Sequence, residues 1–290
     1  MPMLFDPVAI GPYRLSHRVV MAPLTRMRAG LDGVPSRLAA TYYAQRATEG
    51  GLIITEATVV SPRSFRYVRT PGIFTLEQVA AWRTIVQAVH ARRGCIFLQL
   101  WHVGRQSHPS LQPQGQLPIA PSALAADGEA LSESGPVRYP VPRALPIGEI
   151  PALVAEYRQA AAYALQAGFD GVEIHAANGY LPDQFLQDGS NRRTDSYGGT
   201  IENRARFLLE VTEAAVAIWG EGRVGVRLSP SGTTGSMSDS NPAATFGYVA
   251  EQLDQFPLAY LHVIEPRVRG NETMQRRLRH APCAASIVAP

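Results

Sequence analysis

Short apolar runs alternate with longer stretches of helical periodicity along most of this chain. The runs are Val19–Leu24, Leu52–Thr55, Ile96–Leu100, Gly171–Ile174, Arg223–Leu228 and Tyr260–Ile264. Each is short, rich in branched side chains and closed by turn formers, which is how a strand buried on both faces reads. Between them, apolar positions recur at helical spacing in Leu38–Thr48, Thr75–Arg92, Pro151–Ala167, Thr200–Trp219 and Pro242–Phe256. The boundaries carry stop and start chemistry. Thr75 and Gln78 are spaced as a capping box, Pro151 stands in a first turn, Gly168 is placed as a C-cap and Asn241 as an N-cap. Ahead of this series, Val8–Ile10 and Tyr13–Leu15 flank Gly11-Pro12 and predict a small hairpin.

Strand–helix alternation in one direction predicts a parallel sheet with helical crossovers. No nucleotide-type glycine-rich turn follows the first strand, so the pattern favours a (β/α)8 barrel over a doubly wound sheet. One connection is long: from His102 to Glu149 the chain is rich in Pro, Ser and Gly and lacks sustained periodicity. Connections of this length are commonly functional lids. It is expected to form a capping loop, 102–150, over the carboxyl ends of the strands. At the other extreme, a strand–helix–strand unit takes roughly 30 residues or more, and only Pro266–Pro290 follow Glu265. That length admits a basic segment, Arg267–His280, and a seventh strand in Cys283–Val288. The expected architecture is one barrel domain over residues 1–290 with strands seven and eight incomplete or missing.

Composition narrows the function classes. The 290 residues are 46% hydrophobic and 18% charged, ample for a large core. The net charge of +3 comes mostly from scattered arginines, with no basic run interleaved with aromatics, so a nucleic-acid partner is not expected. Two cysteines, Cys95 and Cys283, are too few for a disulfide framework and suit a reduced, cytoplasmic protein. The amino terminus has no signal-peptide pattern, and no 18-residue apolar stretch occurs, so no membrane partner is expected.

Candidate chemistry concentrates after the fourth apolar run. His175, Asn178 and Tyr180 lie within six residues of one another at the carboxyl end of a predicted strand, where ligands of parallel α/β proteins sit. An imidazole, a carboxamide and a phenol supply hydrogen-bond donors and a proton source. Taken singly, each has a plainer reading as a structural hydrogen-bonder, a turn residue or packing. Glu173 and His175, two apart on one strand, also share a face and admit a metal-ligand reading, but no third ligand cluster accompanies them and no metal site is expected.

The runs MAPLTRMRAG, GLIITEAT, FLQLWHVGRQSHPS, GFDGVEIHAANGYLPDQFLQDGSNRRTDSYGGTIENRARFLLEV and LAYLHVIEPR together resemble the Old Yellow Enzyme family of flavin-dependent ene-reductases, in particular its bacterial branch similar to N-ethylmaleimide reductases. The resemblance extends from Pro2 to about Asn271 and implies a (β/α)8 barrel with FMN across the strand ends and NADPH or NADH as reductant. It assigns Ala22, Pro23, Leu24 and Thr25 to the flavin, with the Thr25 hydroxyl near C4 carbonyl and N5. Ala57 leaves room for the ring, Gln99 meets its pyrimidine edge, and Arg227 faces N1 and O2, where reduction places negative charge. His175 and Asn178 are implied to grip the activating oxygen of an enone, enal, maleimide or nitro substrate, and Tyr180 to protonate the α-carbon. Trp101 and Tyr67 are implied to line the substrate pocket.

Two departures stand out. Nothing after Asn271 matches the segment that grips the FMN phosphate in the family, and Gly232–Ser236 replaces a more aromatic loop, which predicts a looser connection. The alternative expectation is therefore a truncated, catalytically impaired barrel with weak or no FMN binding.

Overall fold

The computed structural model describes residues 2–265. It opens on the hairpin β1 (Val8–Ile10) and β2 (Tyr13–Leu15), followed by β3 (Val20–Met21), α1 (Arg37–Ala44), β4 (Leu52–Ile54), β5 (Thr58–Val59), α2 (Leu76–His90) and β6 (Cys95–Trp101). The long connection then carries β7 (Ile119–Ala120), the hairpin β8 (Glu129–Ser132) and β9 (Gly135–Arg138), and β10 (Arg143–Ala144). Regular alternation resumes with α3 (Ile150–Ala167), β11 (Gly171–Ala176), α4 (Leu181–Leu186), α5 (Ile201–Trp219), β12 (Val224–Leu228), α6 (Pro242–Leu253) and β13 (Tyr260–Val263). The sheet order is β13-β12-β11-β6-β4-β3, with β5 paired to the end of β6. Every pair in it is parallel. Each strand lies beside its predecessor, which is the winding of a (β/α)8 barrel, here curled through six strands and β5 among the described residues. The seventh strand expected at Cys283–Val288 and the basic segment Arg267–His280 lie outside the described residues.

Helix boundaries follow the capping chemistry. The Thr75 side chain accepts from Gln78 N while the Gln78 side chain closes back on Thr75 N, so two of the helix's free amides are satisfied locally. Gly168 ends α3 at φ 91°, a left-handed residue that costs glycine little. Asn241 caps α6 through Ala244 N. The first barrel strand stops at Met21 rather than running to Leu24, because Pro23 has no amide to give a ladder. The long connection is more ordered than its composition suggests. Val68 N donates to Leu131 O and Leu131 N to Arg66 O, so the β8–β9 hairpin adds its edge to the segment after β5.

Alternation along the strands divides the core in two. Outward-facing residues such as Leu98, Leu100, Val172, Ile174 and Val226 pack under the helices with Trp82, Tyr157, Phe207 and Val211. Small residues on one face of α3, Ala160, Ala161, Ala164 and Ala167, are fully buried there. On the inward face, Leu52, Ile54, Phe97 and Tyr260 meet Ile10 and Leu15 of the amino-terminal hairpin. The hairpin is a plug across the amino-terminal end of the strands, fixed by the Tyr13 hydroxyl donating to Asp170 O at 2.9 Å. With that end sealed by apolar side chains, the polar inward-facing residues are left at the carboxyl end.

Candidate active site

Strand register determines which side chains share the upper face. Gln99 is opposite Glu173, Glu173 is opposite Gly225, and His175, Arg227 and His262 form one row across β11, β12 and β13. Glu173, fully buried, accepts from Gln99 Nε2 at 2.7 Å and meets His262 Nδ1 at 2.9 Å. The carboxylate thus holds two neighbours at once, from β6 and β13. Gln99 is 1% exposed and spends one amide hydrogen on Glu173, which fixes the orientation of its carboxamide while leaving its carbonyl and second hydrogen for a ligand.

His175 packs edge-on against Tyr180, with ring centroids 4.8 Å apart, and Tyr180 packs edge-on against Trp101 at 5.0 Å. Tyr67 reaches the same group at 6.2 Å from Trp101, and Ala57 is buried in the cluster. Burial, with the positive charge of Arg227 and His262 nearby, pushes the His175 imidazole well below its usual range. It is therefore neutral near pH 7, carrying one N–H donor. Its Nδ1 and the Trp101 Nε1 are buried with no hydrogen-bond partner among the described residues. Buried polar atoms of this kind are uncommon and call for a partner.

Asn178 sits at φ 59° and Gly179 at φ 73°, a left-handed pair that Asn and Gly adopt most readily. Neighbours hold this turn at every backbone atom that matters. Asn178 N donates to Ser229 Oγ at 2.8 Å, and Gln106 Nε2 donates to the carbonyls of both turn residues. Gly179 N donates to Asp183 Oδ2 at 2.8 Å. The carboxamide of Asn178 is thereby carried on a fixed base, three residues along the chain from His175. Gln106, Ser229 and Asp183 carry no sequence signal of this role: Ser229 directly follows β12, but its partner Asn178 is 51 residues away, and Gln106 meets the turn from 72 residues away.

Asp183 is fully buried, and burial raises its carboxyl to about 6 against the hydrogen bonds of Gln187, Gly179 and Ser229 and the charge of Arg105. A carboxyl raised in the folded state binds its proton more tightly there than in the unfolded chain. Its contribution to stability is then complete below about pH 4 and is lost as pH rises through 6. The loss is of order 3 kcal/mol. Urea unfolding of the wild type and Asp183→Ala across pH 4–8 should show their stability difference changing between pH 4 and 6 and level above 7. A difference independent of pH would dispose of this.

The remaining sequence-predicted residues lie at the end of β3. Pro23 and Thr25 are half-buried, Ala22 and Leu24 exposed, and Leu24 shows 53% of its surface. Leu24 and Ala22 are thus not part of the core among the described residues. Arg227 is half-buried. The loop after β12 is tied down rather than loosened: Arg105 Nη2 donates to Gly235 O at 3.0 Å, and Asp127 N to Ser236 Oγ at 2.9 Å.

These features define a parallel barrel with a polar ligand site at the carboxyl ends of its strands: small and apolar groups at one strand end, a fixed carboxamide and a guanidinium across the sheet, and buried polar atoms of His175 and Trp101 without a hydrogen-bond partner among the described residues. A model of the NADH:flavin oxidoreductase / NADH oxidase family matches residues 3–283, and the chain belongs to that family. It is 50% identical over 272 residues to "12-oxophytodienoate reductase 7" of Oryza sativa subsp. japonica, covering 91% of this chain and 69% of that one. Among solved structures, morphinone reductase in complex with tetrahydroNAD superposes with a TM-score of 0.87 at 53% identity, covering 91% of this chain and 74% of that one. The Old Yellow Enzyme homologue from Zymomonas mobilis gives 0.87 at 48%, with 90% and 73% covered. The chain is accordingly an Old Yellow Enzyme-type oxidoreductase, with FMN as cofactor and a nicotinamide as reductant. No helix among the described residues is long and apolar enough to cross a membrane.

Proposed function

We propose that this chain reduces carbon–carbon double bonds conjugated to a carbonyl or nitro group, in enones, enals, maleimides and nitroalkenes. The observation that carries the reading is the convergence of His175, Tyr180 and the fixed Asn178 turn, with the His175 and Tyr180 rings 4.8 Å apart. Thr25, Gln99 and Arg227 would hold the polar edges of FMN, and Ala22, Pro23, Leu24 and Ala57 its ring. Once reduced by NADPH or NADH, the flavin would supply hydride for the β-carbon of the substrate. His175 and Asn178 donate to the substrate's activating oxygen, where negative charge grows as the hydride arrives. Two donors held in place beforehand favour that charged state over the neutral substrate. Tyr180 gives its hydroxyl proton to the α-carbon as the hydride arrives. Trp101 and Tyr67 wall the substrate, and the capping loop 102–150 excludes water from above.

The test is the visible spectrum of purified, FMN-equilibrated and desalted protein. Flavin retained near one per chain, bleached anaerobically by NADPH and restored by 2-cyclohexenone or N-ethylmaleimide, is the expected result. Protein that retains flavin but is not re-oxidised by any activated alkene would overturn the substrate class. Protein that retains none would overturn activity of this chain altogether.

A further inference from the structure

Arg66 has no part in the flavin contacts or the oxygen-gripping pair, yet it reaches the proton donor. It lies after β5, where its carbonyl accepts from Leu131 N of the capping hairpin at 3.2 Å. Its Nη1 donates to the Tyr180 hydroxyl at 2.8 Å. The guanidinium carbon is 4.7 Å from the centre of the Tyr67 ring and 5.7 Å from those of Tyr139 and Tyr180. None of the ion pairs among the described residues includes Arg66, and its Nε is buried without a hydrogen-bond partner. A half-buried cation faced by phenol rings instead of a carboxylate is compensated only in part, by the ring faces and one phenol oxygen.

A guanidinium donates and never accepts. The Tyr180 oxygen must therefore be the acceptor, and its own hydrogen points away from Arg66. When that hydrogen leaves, the phenolate already faces a cation at hydrogen-bond distance. A hydrogen bond between two charged groups is about twice as strong as one between neutral groups, so this contact tightens as the proton is transferred. An interaction that strengthens toward the transition state raises the rate, whereas one of constant strength does not.

We propose that Arg66 is a positioning residue for proton delivery: it aims the Tyr180 hydroxyl hydrogen at the substrate and stabilises the phenolate left behind. The inference rests on the ene-reductase reading. In the step concerned, the Tyr180 O–H bond breaks and a C–H bond forms at the substrate α-carbon. The electron pair comes from the substrate C=C bond as hydride reaches the β-carbon, the negative charge is left on the phenolate, and the phenolate recovers a proton from water.

The experiment follows re-oxidation of pre-reduced, FMN-loaded enzyme by 2-cyclohexenone in stopped flow, for wild type, Arg66→Gln, Arg66→Lys, Tyr180→Phe and the Arg66→Gln/Tyr180→Phe double variant. Arg66→Gln should slow re-oxidation about 10- to 100-fold, with reduction by NADPH changed much less. Arg66→Lys should recover part of the rate, since an ammonium restores the charge without the planar fork. In the Tyr180→Phe background, Arg66→Gln should have no further effect. Equal slowing in both backgrounds, or equal slowing of both half-reactions, would mean that Arg66 serves packing and would overturn the inference alone. Should Arg66→Gln fail to hold flavin, Arg66→Lys in both backgrounds decides in the same way: a rate loss present with Tyr180 and absent with Phe supports the proposal, and equal loss overturns it. A wild type that no activated alkene re-oxidises removes the underlying reading and this inference together.

Discussion

Alanine at His175 or at Asn178 should lower kcat/KM for N-ethylmaleimide or 2-cyclohexenone by about 10²- to 10³-fold. In the proposed reaction each side chain supplies a donor to the oxygen that gains charge, and each is held in place before the substrate arrives. His175 is held edge-on by Tyr180, while the Asn178 turn is fixed through backbone atoms by Ser229 and Gln106. Losses in the two single variants should not add in the double variant, because once one donor is gone the substrate oxygen is no longer pinned for the other. His175→Asn, which keeps an N–H of shorter reach, should lose less than His175→Ala. Steady-state kinetics on proteins of matched flavin content are the measurement, and an unchanged kcat/KM in Asn178→Ala would remove that residue from the site.

The largest effect on stability is expected at Arg204. Its Nε donates to Leu186 O at 2.7 Å and its Nη1 to Gly199 O at 2.7 Å. Its Nη2 donates to Thr245 Oγ1 at 3.0 Å and pairs with Asp239 at 3.3 Å. Both partners of the ion pair are buried, with side chains 8% and 1% exposed. Breaking such a pair from one side strands the other charge, which costs about 3–5 kcal/mol. Arg204→Met should therefore shift the urea midpoint sharply downward, whereas Arg204→Met with Asp239→Leu should recover much of the loss. A single variant within about 1 kcal/mol of wild type would show that Asp239 is relieved by water or by its remaining donors. Because Leu186 ends the helix that starts immediately after Tyr180, the same variant should also blunt activity.

What the sequence disclosed depends on how local each cause was. The capping box at Thr75 and Gln78, the left-handed Gly168 and the Asn241 cap each need only a few neighbouring residues, and all three helix ends fall where those residues stand. The strand cores were equally readable, since fully buried parallel strands are apolar throughout. Thr58–Val59 escaped because two residues carry no periodicity; only pairing with Leu100 and Trp101 makes them a strand. The hairpin Glu129–Arg138 was hidden by Gly135-Pro136, which reads as loop until the partner strand is seen. At the site, strand-end position points to His175, Asn178 and Tyr180, and the family resemblance adds Gln99 and Arg227 and implies the roles. Neither route could find Arg66, whose partner Tyr180 is 114 residues away, or the bond from Glu173 to His262, 89 residues apart. Such pairs exist only after the sheet has curled.

The amino-terminal plug has a bearing on biosynthesis. Its anchor, the Tyr13 hydroxyl on Asp170 O, spans 157 residues, and Ile10 and Leu15 also pack on Tyr260. At about 5–20 residues per second of translation, the hairpin leaves the ribosome on the order of ten seconds or more before its receptor is complete. During that interval Ile10 and Leu15 have only Leu52, Ile54 and Phe97 to pack on, without Tyr260. The contacts of the hairpin are thus completed long after it is made, and a nascent chain halted before β13 should present it to chaperones and proteases that a released chain no longer admits.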